Sequence, residues 1–252
     1  MELGQQVANV RKLGMNVLAV SYDSEAVWRH FFARKKLDYP FLADTDSKLI
    51  DAFGLRNKAV NIDFMQGIPH PGVFLLDGQG RVTAKYFEED FRERFTISSV
   101  LSGRFGQKAA PLGEFTGKRI QVTTGASASV VRGGQRIRLT LEGALGKGLH
   151  VYAPGAPEEF IPVAWTLEGV KATDPVWPKA DKNSQYSGVF SAARDITLPP
   201  QLKDETLVIK GTFRYQSCTD RICYPPETVP VEWKFVSESH DRERAPAELR
   251  RK

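Results

Sequence analysis

Apolar positions keep a helical period in the first part of this chain and a strand period in the second. Leu3, Val7, Val10 and Leu13 share one face and predict a helix over 2–13. Residues 15–21 (Met-Asn-Val-Leu-Ala-Val-Ser) read as a short buried strand. Ser24 stands where an N-cap belongs, ahead of a helix to about Lys36 carrying Val27, Trp28, Phe31 and Phe32. An extended stretch at 39–43 follows, then a helix from Asp46 or Ser47 that stops at Gly54. Residues 73–77 and 81–87 predict a hairpin around Gly78-Gln79-Gly80, and 90–104 a last helix. Alternating strands and helices argue for an α/β sheet, to which the hairpin adds an antiparallel edge.

Helical periodicity then fades. Residues 106–115 turn to small residues, Gly and Pro, and are expected to be a linker between a first domain at 1–105 and a second at 116–237. Within the second, 118–124 and 135–142 alternate on either side of Gly133-Gly134. Further strands are expected at 161–167, 196–198, 206–215 and 228–236. Several short strands with turn signals predict an all-β sandwich. Residues 238–252 are charged, poor in apolar side chains and expected to be disordered.

Composition narrows the function classes. The 252 residues are 41% hydrophobic and 26% charged, enough apolar content for packed cores. The net charge of +5 is spread along the chain, and its densest basic run is the terminal Glu248-Leu249-Arg250-Arg251-Lys252. That run reads as a solvated tail, so nucleic acid is not the expected partner. No apolar run approaches the ~18–20 residues of a membrane span. The first residues have neither the basic nor the apolar segment of a signal peptide. Taken literally this places the chain in the cytosol, where disulfides rarely persist.

Candidate chemistry points the other way. Both cysteines, Cys218 and Cys223, lie in Tyr215-Gln216-Ser217-Cys218-Thr219-Asp220-Arg221-Ile222-Cys223-Tyr224-Pro225-Pro226-Glu227, between two predicted strands. Cysteines at a hairpin end come within the ~4.4–6.8 Å Cα separation that a disulfide needs. A helical C-x-x-C motif is a different object. Three uses stand open: redox exchange, a structural staple contributing only ~2 kcal/mol for so short a loop, and metal binding. The last is the weakest, because a closed zinc site wants four ligands and no His is near in sequence. Asp220 opposes thiolate formation at this place and Arg221 favours it.

The segment Tyr-Gln-x-Cys-(x)4-Cys-Tyr-Pro-Pro-Glu-Thr resembles the cysteine segment of the N-terminal periplasmic domain of DsbD, a membrane thiol–disulfide reductase. Gly148-Leu149-His150-Val151-Tyr152-Ala153-Pro154-Gly155 is similar to an early strand of that family. The resemblance covers residues 116–237. It implies an immunoglobulin-like β-sandwich whose cysteine pair relays electrons to other thiol proteins. Cys218 and Cys223 become the catalytic pair, with Cys223 attacking first, and Tyr215 and Tyr224 flank it. The family also caps its disulfide with an aromatic loop residue, a role that falls to Tyr186 in Asn183-Ser184-Gln185-Tyr186-Ser187-Gly188-Val189-Phe190. Spacing departs from the pattern: four residues separate these cysteines, one fewer than in the family's best-known members. A shorter ring changes redox poise without removing the chemistry.

The first domain resembles the thioredoxin-like redoxins, which include alkyl hydroperoxide reductases and thiol-specific antioxidants. The residues concerned are Ala19-Val20-Ser21-Tyr22-Asp23-Ser24, Phe41-Leu42-Ala43-Asp44, Ala52-Phe53-Gly54 and the run from Gly67 to Gly80. In that superfamily the proline at the place of Pro71 is normally cis and borders the active cysteine. Two departures matter. The Arg that polarises a peroxidatic thiolate is missing near Pro71, and residues 1–217 contain no cysteine. The fold's first strand and cysteine-bearing turn are likewise missing. A thiol peroxidase without its thiol cannot act by that route.

Together these features imply a bacterial, periplasmic or otherwise extracytoplasmic thiol–disulfide oxidoreductase. It is expected to pair a partial thioredoxin-like domain with a sandwich, and to exchange electrons with a thiol protein, a membrane reductase among the candidates. No cofactor or metal is assigned. One alternative is a non-catalytic interaction module with a structural disulfide. Another is a fragment of a peroxiredoxin-type peroxidase whose cysteine, with any signal peptide, lies upstream of Met1.

Overall fold

The computed structural model describes residues 2–60, 68–88, 90, 92–202 and 205–249. Gly67 of the redoxin-like run and Arg250-Arg251-Lys252 of the tail lie outside these. The chain divides into two compact units: residues 1–101 together with 240–252, and residues 102–239.

The first unit mixes helices and strands. Helix α1 (Glu2–Lys12) leads to strand β1 (Ala19–Ser21), helix α2 (Glu25–Lys35), strand β2 (Phe41–Ala43) and helix α3 (Lys48–Ala52). Strands β3 (Gly72–Leu76), β4 (Val82–Phe87) and β5 (Arg94–Phe95) and helix α4 (Ile97–Phe105) complete the run. β1 and β2 pair in parallel, and β3 and β4 form an antiparallel hairpin. Capping follows the sequence at α2, where the Ser24 hydroxyl accepts the Val27 N–H. At α3 it does not. Ser47 adopts a left-handed conformation without a capping bond, and the buried Asp44 carboxylate accepts the N–H groups of Leu49 and Ile50. Glu2 plays the same part for α4, its carboxylate accepting from Ile97 N–H at 2.8 Å and Ser98 N–H at 2.7 Å. Phe32, Tyr39 and Val7 form the core here, with Trp28 stacked on Phe41 at 5.1 Å.

Four expectations change in this unit. The hairpin does not join β1 and β2 as an antiparallel edge: among the described residues β1–β2 and β3–β4 are separate two-stranded sheets. The last helix begins at Ile97 rather than near Asp90, because Arg94–Phe95 is extended. No cis peptide bond occurs among the described residues, so His70–Pro71 is trans. The His70 N–H donates to Leu55 O, and the chain runs extended into β3, where Gly72 pairs with Phe87. The ordinary trans preference of an X–Pro bond is satisfied there. The charged tail, expected to be disordered, instead returns to α2. Asp241 lies 3.0 Å from Arg34 and 2.9 Å from Lys35, and these cations pull its carboxyl down to about 2.

The second unit is all β. One sheet has the order β11 (Ala164–Leu167), β15 (Thr206–Tyr215), β16 (Glu227–Ser237), β8 (Val130–Val131). The other runs β12 (Lys171–Ala172), β14 (Val189–Thr197), β9 (Gln135–Leu145), β7 (Ile120–Ala126), β6 (Ala110–Thr116). Strands β10 (His150–Tyr152) and β13 (Gln185–Ser187) pair separately. Period-two alternation explains the burial. Val229, Val231, Trp233 and Phe235 of β16 point inward, as do Ile137, Leu139 and Leu141 of β9. The inward faces of both sheets share one apolar core. Trp233 ties them, its indole N–H donating to Gly125 O on β7 at 3.0 Å and Thr140 O on β9 at 3.2 Å.

Most of the expected linker at 106–115 is strand β6, paired with β7. Its linker-like residues sit where a sheet tolerates them. Register shifts between Pro111 and Gly113, and β6 ends the sheet order, so the missing proline N–H interrupts no inner ladder.

Candidate functional site

β15 and β16 keep their antiparallel register up to the pair Tyr215↔Glu227. Beyond it the chain opens into a loop over 216–226, stabilised by its own bonds. The Tyr224 N–H donates to Ser217 O at 2.9 Å, and the Gln216 amide to Tyr224 O at 3.0 Å. Thr219 shapes the tip: its hydroxyl accepts the N–H groups of Arg221 and Ile222, and its own N–H donates to Ile222 O. Cys218 and Cys223 therefore face each other across a narrow antiparallel bridge and are joined as a disulfide, their Cα atoms 4.0 Å apart, closer than the expected ~4.4–6.8 Å.

The two cysteines have unlike surroundings. Cys218 is 0% exposed, whereas Cys223 is exposed to solvent. Cys218 is also fixed by its backbone. Its N–H donates to His150 O at 2.8 Å, and the His150 N–H returns a bond to Cys218 O at 2.9 Å. β10 thus extends the sheet pairing onto the cysteine loop. Asp220 and Arg221 are exposed at the turn. A cleft of about 240 Å³ lies beside that turn, lined by Lys147, His150, Gln185, Ser187 and Asp220 among others.

Tyr215 and Tyr224 flank the pair in sequence. Tyr215 is buried, and its hydroxyl donates to the Glu227 carboxylate at 2.5 Å. The same carboxylate accepts the Lys118 N–H at 3.1 Å, and the Tyr215 oxygen accepts the Arg119 N–H at 3.4 Å. The β6–β7 turn is thereby held to the base of the loop. Burial and the bond to Glu227 push the Tyr215 phenol up to about 12. The native state therefore holds this proton more tightly than the unfolded chain, where a tyrosine titrates near 10. Its contribution to stability is complete below about pH 10 and is lost as pH rises toward 12. Urea midpoints measured from pH 8 to 12 are expected to fall over that window. Tyr215→Phe should be less stable at neutral pH and lose this part of the alkaline slope, and an unchanged slope would contradict the assignment.

Tyr186 corrects the expectation of a cap. It is a core residue of β13, stacked on Phe190 at 5.0 Å, with its hydroxyl donating to Pro178 O. Inward alternation of that strand takes the ring into the sandwich. Pro71 belongs to the first unit. Three further residues bond to or stack on this loop: Glu227 at the end of the cysteine segment, and His150 and Arg119 outside it. Arg119 places its guanidinium 3.5 Å from the centre of the Tyr224 ring. His150 and Glu227 lie within the DsbD-like residue runs, but only pairing across the fold shows their roles.

This geometry can support thiol–disulfide chemistry: one exposed cysteine, one buried cysteine, and a hydrogen-bonded base at Tyr215 and Glu227. Comparison with solved structures returns low similarities. The N-terminal periplasmic domain of ScsB from Proteus mirabilis is 15% identical with a TM-score of 0.35, covering 51% of this chain and 52% of that one. The match thus spans about half the length of the ScsB domain. The N-terminal domain of DsbD from Neisseria meningitidis, in reduced form, is 15% identical with a TM-score of 0.24, covering 39% and 75%. The GAE domain of yeast GGA1 is 13% identical with a TM-score of 0.28, covering 50% and 98%. Comparison with curated proteins returns no match. Family models are more informative: residues 1–85 match the AhpC/TSA family, and residues 119–233, which include both cysteines, match the N-terminal domain of the thiol:disulfide interchange protein DsbD.

Proposed function

We propose that this chain is an extracytoplasmic thiol–disulfide oxidoreductase in which Cys223 is the interchange sulfur and Cys218 resolves. The observation that carries this is the contrast within one bond, Cys218 being buried and Cys223 exposed. Exposed disulfides are the labile and catalytic ones, whereas structural ones sit at lower potentials.

In the reduced chain, the Cys223 thiolate attacks one sulfur of a partner's disulfide. A Cys223–partner mixed disulfide forms and the partner's second sulfur leaves as thiolate. The Cys218 thiolate then attacks the Cys223 sulfur, closing the intramolecular bond and releasing the partner's first thiolate. Two electrons pass to the partner, and the reverse sequence recharges the pair from a thiol donor. A membrane reductase is a fitting donor or acceptor. Because residues 1–217 contain no cysteine, the thioredoxin-like unit implied by the AhpC/TSA match contributes no thiol of its own. Among the described residues no helix is long and apolar enough to cross a membrane.

Equilibration with glutathione buffers tests this function. The pair should move between dithiol and disulfide within the range that such buffers span, whereas a structural staple should stay closed.

A further inference from the structure

We propose that Arg119, on the turn between β6 and β7, is a positioning residue for the cysteine pair, acting as a latch on Tyr224. The inference rests on the exchange function proposed above and deepens it, because it states what sets the balance between disulfide and dithiol.

Tyr224 directly follows the accessible Cys223. Its ring lies beneath the Arg119 guanidinium at 3.5 Å, a distance of direct stacking. Arg119 is itself held. Its backbone N–H reaches the Tyr215 hydroxyl, and the preceding Lys118 N–H reaches Glu227. Gly117 keeps the turn close, since a Cβ there would lie 2.8 Å from the Tyr215 oxygen and 3.0 Å from Val229. The latch therefore connects the Cys223 side of the cysteine loop to the β6–β7 turn of the sandwich.

The two redox states load this latch differently. On reduction, two sulfurs that shared a bond must separate to non-bonded contact. Cys218 cannot yield, being buried and doubly hydrogen-bonded to His150. The displacement falls on Cys223 and on Tyr224 next to it. A stacked Tyr224 resists that displacement and so favours the closed disulfide. Loss of the stack lowers the effective concentration of one thiol near the other and makes the pair easier to reduce.

The test uses the full chain, whose two cysteines make every thiol signal specific to this pair. The disulfide–dithiol equilibrium is measured against dithiothreitol for the wild type and for Arg119→Ala, Arg119→Lys, Tyr224→Leu and Tyr224→Phe. A double variant combining Arg119→Ala with Tyr224→Leu completes the set. Thermal midpoints of the oxidised forms are recorded alongside. Arg119→Ala and Tyr224→Leu should each shift the equilibrium toward dithiol by about two- to tenfold. Tyr224→Phe keeps the ring and should stay near the wild-type value. Arg119→Lys keeps the charge without the planar stack and should resemble Arg119→Ala. The double variant should go no further than the larger single effect. Equilibria unchanged in both single variants would overturn the latch, as would additive shifts or a lysine that fully restores the wild-type value. So would lowered thermal midpoints at a constant equilibrium, the mark of a purely structural contact. The exchange function stands or falls on the wild-type equilibrium itself. The latch is read from differences between variants, so either can fail without the other.

Discussion

Cys218→Ser should leave a chain that captures a small disulfide on Cys223 and keeps it, while Cys223→Ser should capture almost none. The reason is access. Thiol–disulfide exchange needs the attacking sulfur to approach a partner in line with the bond that breaks, and a thiolate to do it. Cys223 stands in solvent, where an approach is open and charge is hydrated. Cys218 is fully buried, and burial blocks the approach of a partner. With oxidised glutathione as probe, the two single-cysteine chains should differ in adduct formation on the order of a hundredfold. Mass measurement of quenched samples would follow this directly. Equal rates, or faster capture by Cys218, would remove Cys223 from the role of interchange sulfur.

The largest loss of stability is expected from Trp233→Ala. This side chain is 0% exposed, stacks on Trp165 at 5.4 Å and spans the two sheets through its indole N–H. Truncation removes a large buried surface and leaves a cavity, which costs about 3–5 kcal/mol for a tryptophan. Set against a typical total of about 5–15 kcal/mol, such a loss removes a large fraction of the stability. Trp233→Phe keeps much of the ring but removes the donor shared by Gly125 O and Thr140 O. It should cost about 1–3 kcal/mol through those carbonyls alone. Urea unfolding with an unchanged slope would report both values. A cost below about 1 kcal/mol for the alanine variant would mean that the sandwich core is not organised around this residue.

The sandwich was legible wherever burial follows a local period. The alternation at 206–215 and 228–236 announced β15 and β16, and the cysteines between them announced the loop. The α2 helix was equally plain, because Ser24 and an aromatic face mark it in one short window. Other features were hidden for physical reasons. Pro111 and Gly113 read as linker residues, yet pairing with β7 at a bulged sheet edge overrides their local preference. Charge in the tail signalled disorder, but Asp241 finds Arg34 and Lys35, far away in sequence. Tyr186 showed a suitable ring in a suitable segment, and only strand alternation decided that it points into the core. The candidate site divides in the same way. Both cysteines and both flanking tyrosines could be named from one segment, and the structure keeps them together. Arg119 could not, because no local pattern links a turn between β6 and β7 to the ring of Tyr224. The different surroundings of Cys218 and Cys223 were invisible for the same reason, since the pairing with His150 is a product of the fold.

The central claim is that this disulfide is made to be opened and closed. The measurement that tests it most directly is the redox potential of the Cys218–Cys223 pair in the intact wild-type chain. It is obtained by equilibration with graded ratios of reduced to oxidised glutathione and counting of free thiols after acid quench. An exchange-active pair should titrate reversibly, with a potential above about −300 mV. A pair that stays oxidised at the most reducing ratios, with a potential below that value, would be a structural staple and would contradict the account.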